Sequence, residues 1–247
     1  MEHIASKYPI TIKEFGEYAA LIEWPPQINE DVLYDILRVK AQIEKTLAAY
    51  NVSLVPAYHS LTVIANSPVL SGTEICRYLS DLDITLDRAP LVSSSWKIPV
   101  CYESDLAPDL EVISKQKELT PKEVIRLHTT PLYTVYCIGF LPGFMYLGGL
   151  PETLITPRRQ EPRLRVPAGA VGIGGSQTGI YPQESPGGWN LIGNCPVPLF
   201  DVLKDPPCFV KVGDRVKFYP VSLPQYQILK IEVATGVYKP EKIKGND

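Results

Sequence analysis

The sequence lacks the groups on which the commoner enzyme sites are built. It contains no H-E-x-x-H and no carboxylate cluster at metal spacing, so no metal site is expected. There is no G-x-S-x-G elbow, which argues against an ordinary serine hydrolase. The string Gly172-Ile-Gly-Gly-Ser176 is not G-x-x-x-x-G-K-[ST] and no lysine follows it, so an ATP site on this chain alone is not expected. No run approaches the roughly twenty apolar residues of a membrane span. Met1 to Lys7 has neither the basic nor the apolar region of a secretory signal. Charge is nearly balanced, 24 Lys and Arg against 27 Asp and Glu for a net −3, so neither nucleic acid nor a membrane is an expected partner. Cys76, Cys101, Cys137, Cys195 and Cys208 are five, an odd number, and none forms a C-x-x-C pair. That argues against a disulfide framework and against zinc, and for reduced thiols in a cytoplasmic chain. Cys137 lies in an apolar strand and reads as core. No internal repeat or low-complexity tail is present.

What is there in quantity is glycine and proline, concentrated in one stretch. Twelve of the 17 glycines, with seven of the 24 prolines, fall between Gly139 and Gly193. Glycine opens backbone conformations closed to other residues and permits close approach, whereas proline fixes φ. Into this stretch are set Arg158, Arg159, Arg163 and Arg165, with Gln177, Thr178, Tyr181 and Trp189. A stiff, glycine-lined loop carrying guanidinium and amide groups suits an anionic small molecule. The competing reading is a β-rich domain in which glycine and proline only punctuate turns.

The 247 residues, 45% apolar and 21% charged, fit one large domain or two modest ones. Tyr8–Ile12 and Glu17–Trp24 read as strands about a turn at Phe15-Gly16. The segment Ile28 to Tyr50 reads as a helix, with apolar residues from Val32 on at helical spacing, Asn29 as N-cap and acidic residues just inside it. Val52–Val55 and Ser60–Ala65 read as strands, and Ser71-Gly-Thr-Glu74 as a capping box opening a helix through Leu79. With one more strand this makes a small α/β sandwich over residues 1–90, ferredoxin-like in its layering, with helices on one face of a mainly antiparallel sheet. His59 is a loop histidine and His3 lies in a frayed terminus. Arg88–Ser95 is polar and marks a boundary. Residues 91–247 then form a second domain. Trp96–Tyr102 is a strand, Pro108–Ile113 a helical turn, and Thr120-Pro-Lys-Glu123 opens a helix through Leu127. Tyr133–Ile138 and Arg215–Tyr219 read as strands, Gly213-Asp214 as a turn, and Gln227–Ile231 with Val233–Tyr238 as a closing strand pair. Many short strands with regular turns predict a closed β-barrel.

Within this domain His128 falls at a helix C-terminus, where the macrodipole favours its protonated form; read from the residues alone it is a helix cap. Arg163 and Arg165, two apart, share a face in a strand and could clamp a carboxylate, with Leu164 and Val166 on the other face. Arg158 and Arg159 are adjacent and would point opposite ways. Gln177, Gly179 and Tyr181 share a face if extended. Gln177 and Tyr181 would fix a ligand's orientation, and Trp189 would be an apolar wall or a plain core residue.

The run Gly139-Phe-Leu-Pro-Gly-Phe144, Tyr146-Leu-Gly-Gly149, Thr156-Pro-Arg-Arg159, Pro162-Arg163, Val166-Pro-Ala-Gly169, Gln177-Thr-Gly-Ile-Tyr-Pro182 and Ser185-Pro-Gly-Gly-Trp-Asn-Leu-Ile-Gly193 resembles the B-subunit family of bacterial ATP-dependent 5-oxoprolinases. That family has also been described as allophanate hydrolase subunit 1 and as an inhibitor of a sporulation histidine kinase. The resemblance extends to Ile98–Tyr102 and Val212–Val216 and is looser before residue 90. It implies a cyclophilin-like barrel after the small α/β domain. It further implies opening of 5-oxo-L-proline to L-glutamate with ATP used by the complex, together with A and C subunits, and little activity for this chain alone. On this ground His128 becomes a site candidate for proton transfer or for an oriented hydrogen bond to a carbonyl, with Gln177 and Tyr181 as catalytic partners and Arg163, Arg165, Gly143, Tyr146 and Trp189 as substrate-binding residues. The other implied roles are a histidine-kinase inhibitor, and a carboxyltransferase-like subunit whose biotin would arrive on another protein, since no A-M-K acceptor occurs here. Asn194-Cys195 stands where the family usually has Arg-Thr, Ala170 where serine is common, and Ser176 where glycine is common.

Overall fold

The computed structural model describes residues 6–81 and 93–243, and the chain divides into two compact units, Met1–Val92 and Ser93–Asp247. Residues 88–92 of the expected boundary segment, the strand expected just before it, and His3 lie outside the described residues.

The first unit runs β1 (Thr11–Glu14), β2 (Ala19–Glu23), α1 (Glu30–Thr46), β3 (Val52–Pro56), β4 (Ser60–Ala65) and α2 (Gly72–Asp81). Its sheet has the order β1-β2-β4-β3, and all three pairings are antiparallel. Asn29 caps α1 by accepting the Val32 amide at 2.8 Å. Val32, Ile36, Val39 and Ile43 form its buried stripe and pack with Ile22, Leu61 and Val63 of the sheet and Ile75 and Leu79 of α2. Each such side chain contributes about 1.5–3 kcal/mol. The capping box at α2 is made: the Ser71 amide donates to Glu74 Oε2 at 2.9 Å, and the Glu74 amide donates to Ser71 Oγ at 3.2 Å.

The second unit continues with β5 (Ser95–Cys101), α3 (Leu110–Gln116), α4 (Pro121–Thr129), β6 (Tyr133–Ile138), β7 (Met145–Gly148), β8 (Arg163–Val166) and β9 (Ala170–Gly174). It ends with β10 (Gln177–Ile180), β11 (Ser185–Gly187), β12 (Asn190–Asn194), β13 (Arg215–Val221), α5 (Leu223–Ala234) and β14 (Glu241–Lys242). The order β12-β9-β10-β7-β6-β13-β5 closes into a seven-stranded barrel through a β12–β5 pairing, Asn194 opposite Cys101, with β14 added on β5. Closure leaves few free edges. The interior is filled by Ile98, Val100, Val135, Leu147, Ile173, Ile180, Ile192 and Phe218. Strands β8 and β11 form a separate ribbon. Asp214 is buried and ties the start of β5 to the preceding turn, accepting from the Trp96 indole at 2.9 Å and the Lys211 amide at 3.0 Å. The mixed α/β architecture with a closed barrel is as the sequence predicts.

Two elements differ. The helical turn expected at 108–113 is a full helix, α3. The strand pair expected at 227–238 is instead helix α5 followed by a turn. Ser222 opens α5: its amide donates to Gln225 Oε1 at 2.9 Å, the Gln225 amide donates back to Ser222 Oγ, and Pro224 sits in the first turn. Tyr226 is its one buried residue, while Ile228 and Ile231 are exposed. With no one-sided apolar stripe, the helical period is absent, and the β-branched residues imitate strands. The capping box Ser222-x-x-Gln225 is the helix signal that remains.

Candidate functional site: an aromatic cleft with an unpaired arginine

At Gly148, Gly174, Gly179 and Gly187 the space a side chain would take is occupied by the chain's own rings. A Cβ at Gly174 would lie 2.5 Å from the Trp189 indole nitrogen, and one at Gly187 would lie 2.5 Å from the Tyr181 hydroxyl. Bare backbone there lets both rings lie flat against the main chain. Phe144, Tyr181 and Trp189 pack with Val166 of the ribbon and Ala170 and Leu191 of the barrel. The contacts are edge-on: Phe144 to Tyr146 at 4.8 Å, to Tyr181 at 5.3 Å and to Trp189 at 5.4 Å between centroids. Edge-to-face pairs are the favoured aromatic geometry. Between these rings and the Pro162 and Pro186–Gly188 backbone is a cleft of about 240 Å³, rimmed by Phe140 and Arg158.

The four arginines separate by partner. Asp109, buried at the start of α3, accepts from Arg159 at 3.1 Å and Arg163 at 2.7 Å through one oxygen. Its other oxygen accepts the Leu191 amide of β12 at 2.7 Å. Arg165 pairs with Glu184 at 2.9 Å in the open, both side chains being more than half exposed. Arg158 alone of the four makes no ion pair or hydrogen bond among the described residues, and it lines the cleft. It also lines a second, more open depression of about 440 Å³ beyond the 156–161 strap, shared with Gln116, Arg159, Gln160 and Asn190. The Tyr181 hydroxyl is pushed up by burial, against a backbone hydrogen bond from Trp189 and the charges of Arg158 and Arg163. It therefore stays protonated at neutral pH and can donate.

This corrects the expectation that Arg163 or Arg165 faces the site. Val166 pairs with Ser185 and Arg163 with Gly187, so Leu164 and Arg165 together oppose Pro186. That bulge breaks the two-residue alternation: Val166 is buried, Leu164 is 86% exposed, and Arg163 and Arg165 take different partners. The adjacent Arg158 and Arg159 do diverge, one to the cleft and the other to Asp109.

The protonated His128 expected at a helix end is also overturned. His128 is 0% exposed, stacked on Phe218 at 4.8 Å with a 14° interplanar angle. Desolvation lowers its pKa to about 3, outweighing the helix dipole. Thr178 Oγ1 donates its one hydrogen to the Gly172 carbonyl at 2.9 Å, so it must accept from His128 Nε2–H at 2.9 Å. That leaves Nδ1 to accept from the Tyr102 hydroxyl at 2.7 Å. Both ring nitrogens are occupied in a neutral imidazole inside the barrel. Thr178 faces inward on β10, whereas Gly179 and Tyr181 face the aromatic cluster, so the strand separates His128 from the cleft.

Tyr146, Tyr181 and Trp189 line the cleft. Gln177, half-buried at the start of β10, does not. Gly143 is a turn at φ +82°, where a Cβ would meet Phe200 Cβ at 2.7 Å; it shapes the loop between Phe140 and Phe144 and is not on the lining. Sequence reasoning missed Arg158 as the free cation, Asp109 as the anchor, and Phe140 with Phe144 as walls. The last pair stands in plain sight in Gly-Phe-Leu-Pro-Gly-Phe. Asn194 accepts from the Tyr226 hydroxyl at 2.8 Å and donates to the Ala168 carbonyl at 3.0 Å, a clasp of α5 onto the barrel. Burial pushes the Cys195 thiol up to about 12, which leaves it a thiol. Neither residue lines the cleft.

Gly172–Ser176 is the end of strand β9 and the hairpin turn to β10, with Gly174 paired opposite Gln177. Its backbone amides serve a ladder, not a phosphate cradle at a helix start. Among the described residues no group of three or more His, Cys, Asp or Glu could hold a metal ion, and no helix is long and apolar enough to cross a membrane.

Residues 10–210 match the carboxyltransferase domain, subdomain C and D. The chain is 37% identical to the 5-oxoprolinase B subunit of Bacillus subtilis, over 90% of this chain and 97% of that protein. It is 40% identical to the 5-oxoprolinase B subunit of Escherichia coli O157:H7, over 83% of this chain and 93% of that protein. Among solved structures, TTHA0988 superposes with a TM-score of 0.72 at 34% identity over 83% of this chain, which spans 40% of that longer protein. The Kluyveromyces lactis urea carboxylase shares the fold, with a TM-score of 0.76 at 17% identity, over 98% of this chain and 25% of that one. The protein belongs to the 5-oxoprolinase B-subunit family, within the carboxyltransferase subdomain C and D group.

Proposed function

We propose that this chain is the B subunit of a cytoplasmic ATP-dependent 5-oxoprolinase, working with A and C subunits, and that its aromatic cleft holds 5-oxo-L-proline. The observation that carries the reading is Arg158: the one unpaired guanidinium of the run, on the rim of a cleft with flat apolar walls. A cleft of about 240 Å³ is below the roughly 300–1,000 Å³ of drug-sized pockets, which suits a single small ring. The guanidinium can take a carboxylate with paired N–H bonds. The rings offer faces to a planar lactam and keep water off it, and the Tyr181 hydroxyl can donate to the lactam oxygen. In hydrolysis water adds to the lactam carbonyl carbon, the C–N bond breaks and the nitrogen takes a proton, leaving the amine and second carboxylate of glutamate. ATP supplies driving force to the assembled enzyme. The residues of this chain do not fit a nucleotide phosphate loop.

The shared fold with urea carboxylase favours a second reading, in which the same cleft presents an amide nitrogen as acceptor in carboxyl transfer from biotin carried on another protein. The two separate in one assay. We expect ATP-dependent glutamate formation from 5-oxoproline when this chain is mixed with its A and C partners, loss of that activity when any one is omitted, and a drop of about 100-fold in kcat/KM with Arg158→Ala, the size of a lost charged hydrogen-bond pair. A complete mixture without turnover, or an Arg158→Ala enzyme as active as wild type, would sink the reading.

A further inference from the structure

Phe140 is the one apolar residue with positive φ among the described residues; the other non-glycine cases are Asn51 and Glu118. Its φ is +66°, and the Leu141 amide donates to the Gly139 carbonyl across it at 2.8 Å. That is a γ-turn of the rarer, positive-φ kind, which is strained. The loop is closed by Gly139 N–H to the Phe144 carbonyl at 3.1 Å and Phe144 N–H to the Leu141 carbonyl at 3.0 Å. A glycine would occupy the turn without strain.

Burial does not explain a phenylalanine there either. The side chain is 61% exposed, and its ring meets Phe144 at 5.4 Å and Tyr181 at 6.4 Å in T-shaped pairs, with interplanar angles of 86° and 87°. Strain at such a position points from the outlier to a role.

We propose that Phe140 is a specificity-setting residue: the strained turn holds its ring on the rim of the cleft, where it covers a bound planar ring and distinguishes a cyclic lactam from the opened, non-planar product. This rests on the reading of the cleft as a 5-oxoproline site. The flat ring has a face for Phe140 to stack on; glutamate has lost that face and gained a second carboxylate. Phe140 thus favours substrate over product while Arg158 holds the carboxylate common to both.

The test uses the assembled enzyme with its A and C partners. Phe140→Gly is expected to raise the KM for 5-oxoproline by about tenfold, the scale of one lost aromatic contact, with inhibition by L-glutamate unchanged and the melting temperature equal to or above wild type. Phe140→Leu, which keeps bulk but not the aromatic face, is expected to share the KM rise, and Phe140→Tyr to retain the wild-type KM. If wild type turns over and both the Gly and Leu variants keep its KM, the inference falls and the substrate reading stands. If Phe140→Gly fails to fold, Phe140→Leu decides alone. If wild type has no turnover, both fall together.

Discussion

Strand β10 has two faces, and they carry opposite kinds of polar group. On the inner face Thr178 meets His128, a titratable ring with both nitrogens bonded and no access to solvent. On the outer face Gly179 and Tyr181 meet an aromatic cluster whose rim carries Arg158, a charge with no partner among the described residues. The inner face is satisfied and closed, and the outer is unsatisfied and open. Residue type does not distinguish them, since histidine is the more usual catalytic residue. What distinguishes them is whether the group's bonds are already made.

That contrast can be broken from either side. The largest stability effect is expected at Asp109→Ala, which strips two guanidinium groups of their shared carboxylate and frees the Leu191 amide. Breaking a buried pair by removing one partner costs about 3 kcal/mol or more, so the urea midpoint should fall markedly and the 156–161 strap should loosen. A midpoint shifted by only a surface-mutation amount would show that the strap is held otherwise.

His128→Gln sharpens the inner side. The native imidazole has its pKa lowered to about 3 from an ordinary value near 6.5. Between those limits the unfolded chain binds a proton that the native chain does not. Stability is therefore full above about pH 6.5 and falls as pH drops towards 3, by at most about 1.4 kcal/mol per pH unit. The glutamine variant should lose that acid-side slope in urea unfolding at pH 4 to 7. An unchanged slope would mean that another group carries the acid sensitivity.

The smallest effect is expected for Arg165→Ala. Its exposed pair with Glu184 is of a kind worth about 0–1 kcal/mol, so melting temperature and KM should both stay close to wild type. A large KM increase would return Arg165 to the site and weaken the case for Arg158.

The elements legible in the sequence are those with local grammar. Asn29, Ser71 and Thr120 each announce a helix because a cap satisfies amides within three residues of itself. Tyr133–Ile138 is legible as a strand and Gly213-Asp214 as a turn. Helix α5 misleads because its apolar residues surround it, and only the capping box at Ser222 speaks for a helix. In the site, Tyr146, Tyr181 and Trp189 stand out in the sequence and do line the cleft. Arg163 and Arg165 are displaced from it by a bulge, because one extra residue shifts every later side chain to the other face.

By itself the sequence determined the barrel-bearing α/β architecture, the family, and the stretch that supplies the lining of the cleft, because caps, turns and glycine placement are local constraints. Only the tertiary structure decided which arginine is free and which histidine nitrogen carries the proton. Those depend on Asp109, which lies 50 residues from Arg159 and 54 from Arg163, and on Thr178, which lies 50 residues from His128. Pairing across such separations is set by how strands and helices pack, and no local pattern encodes it.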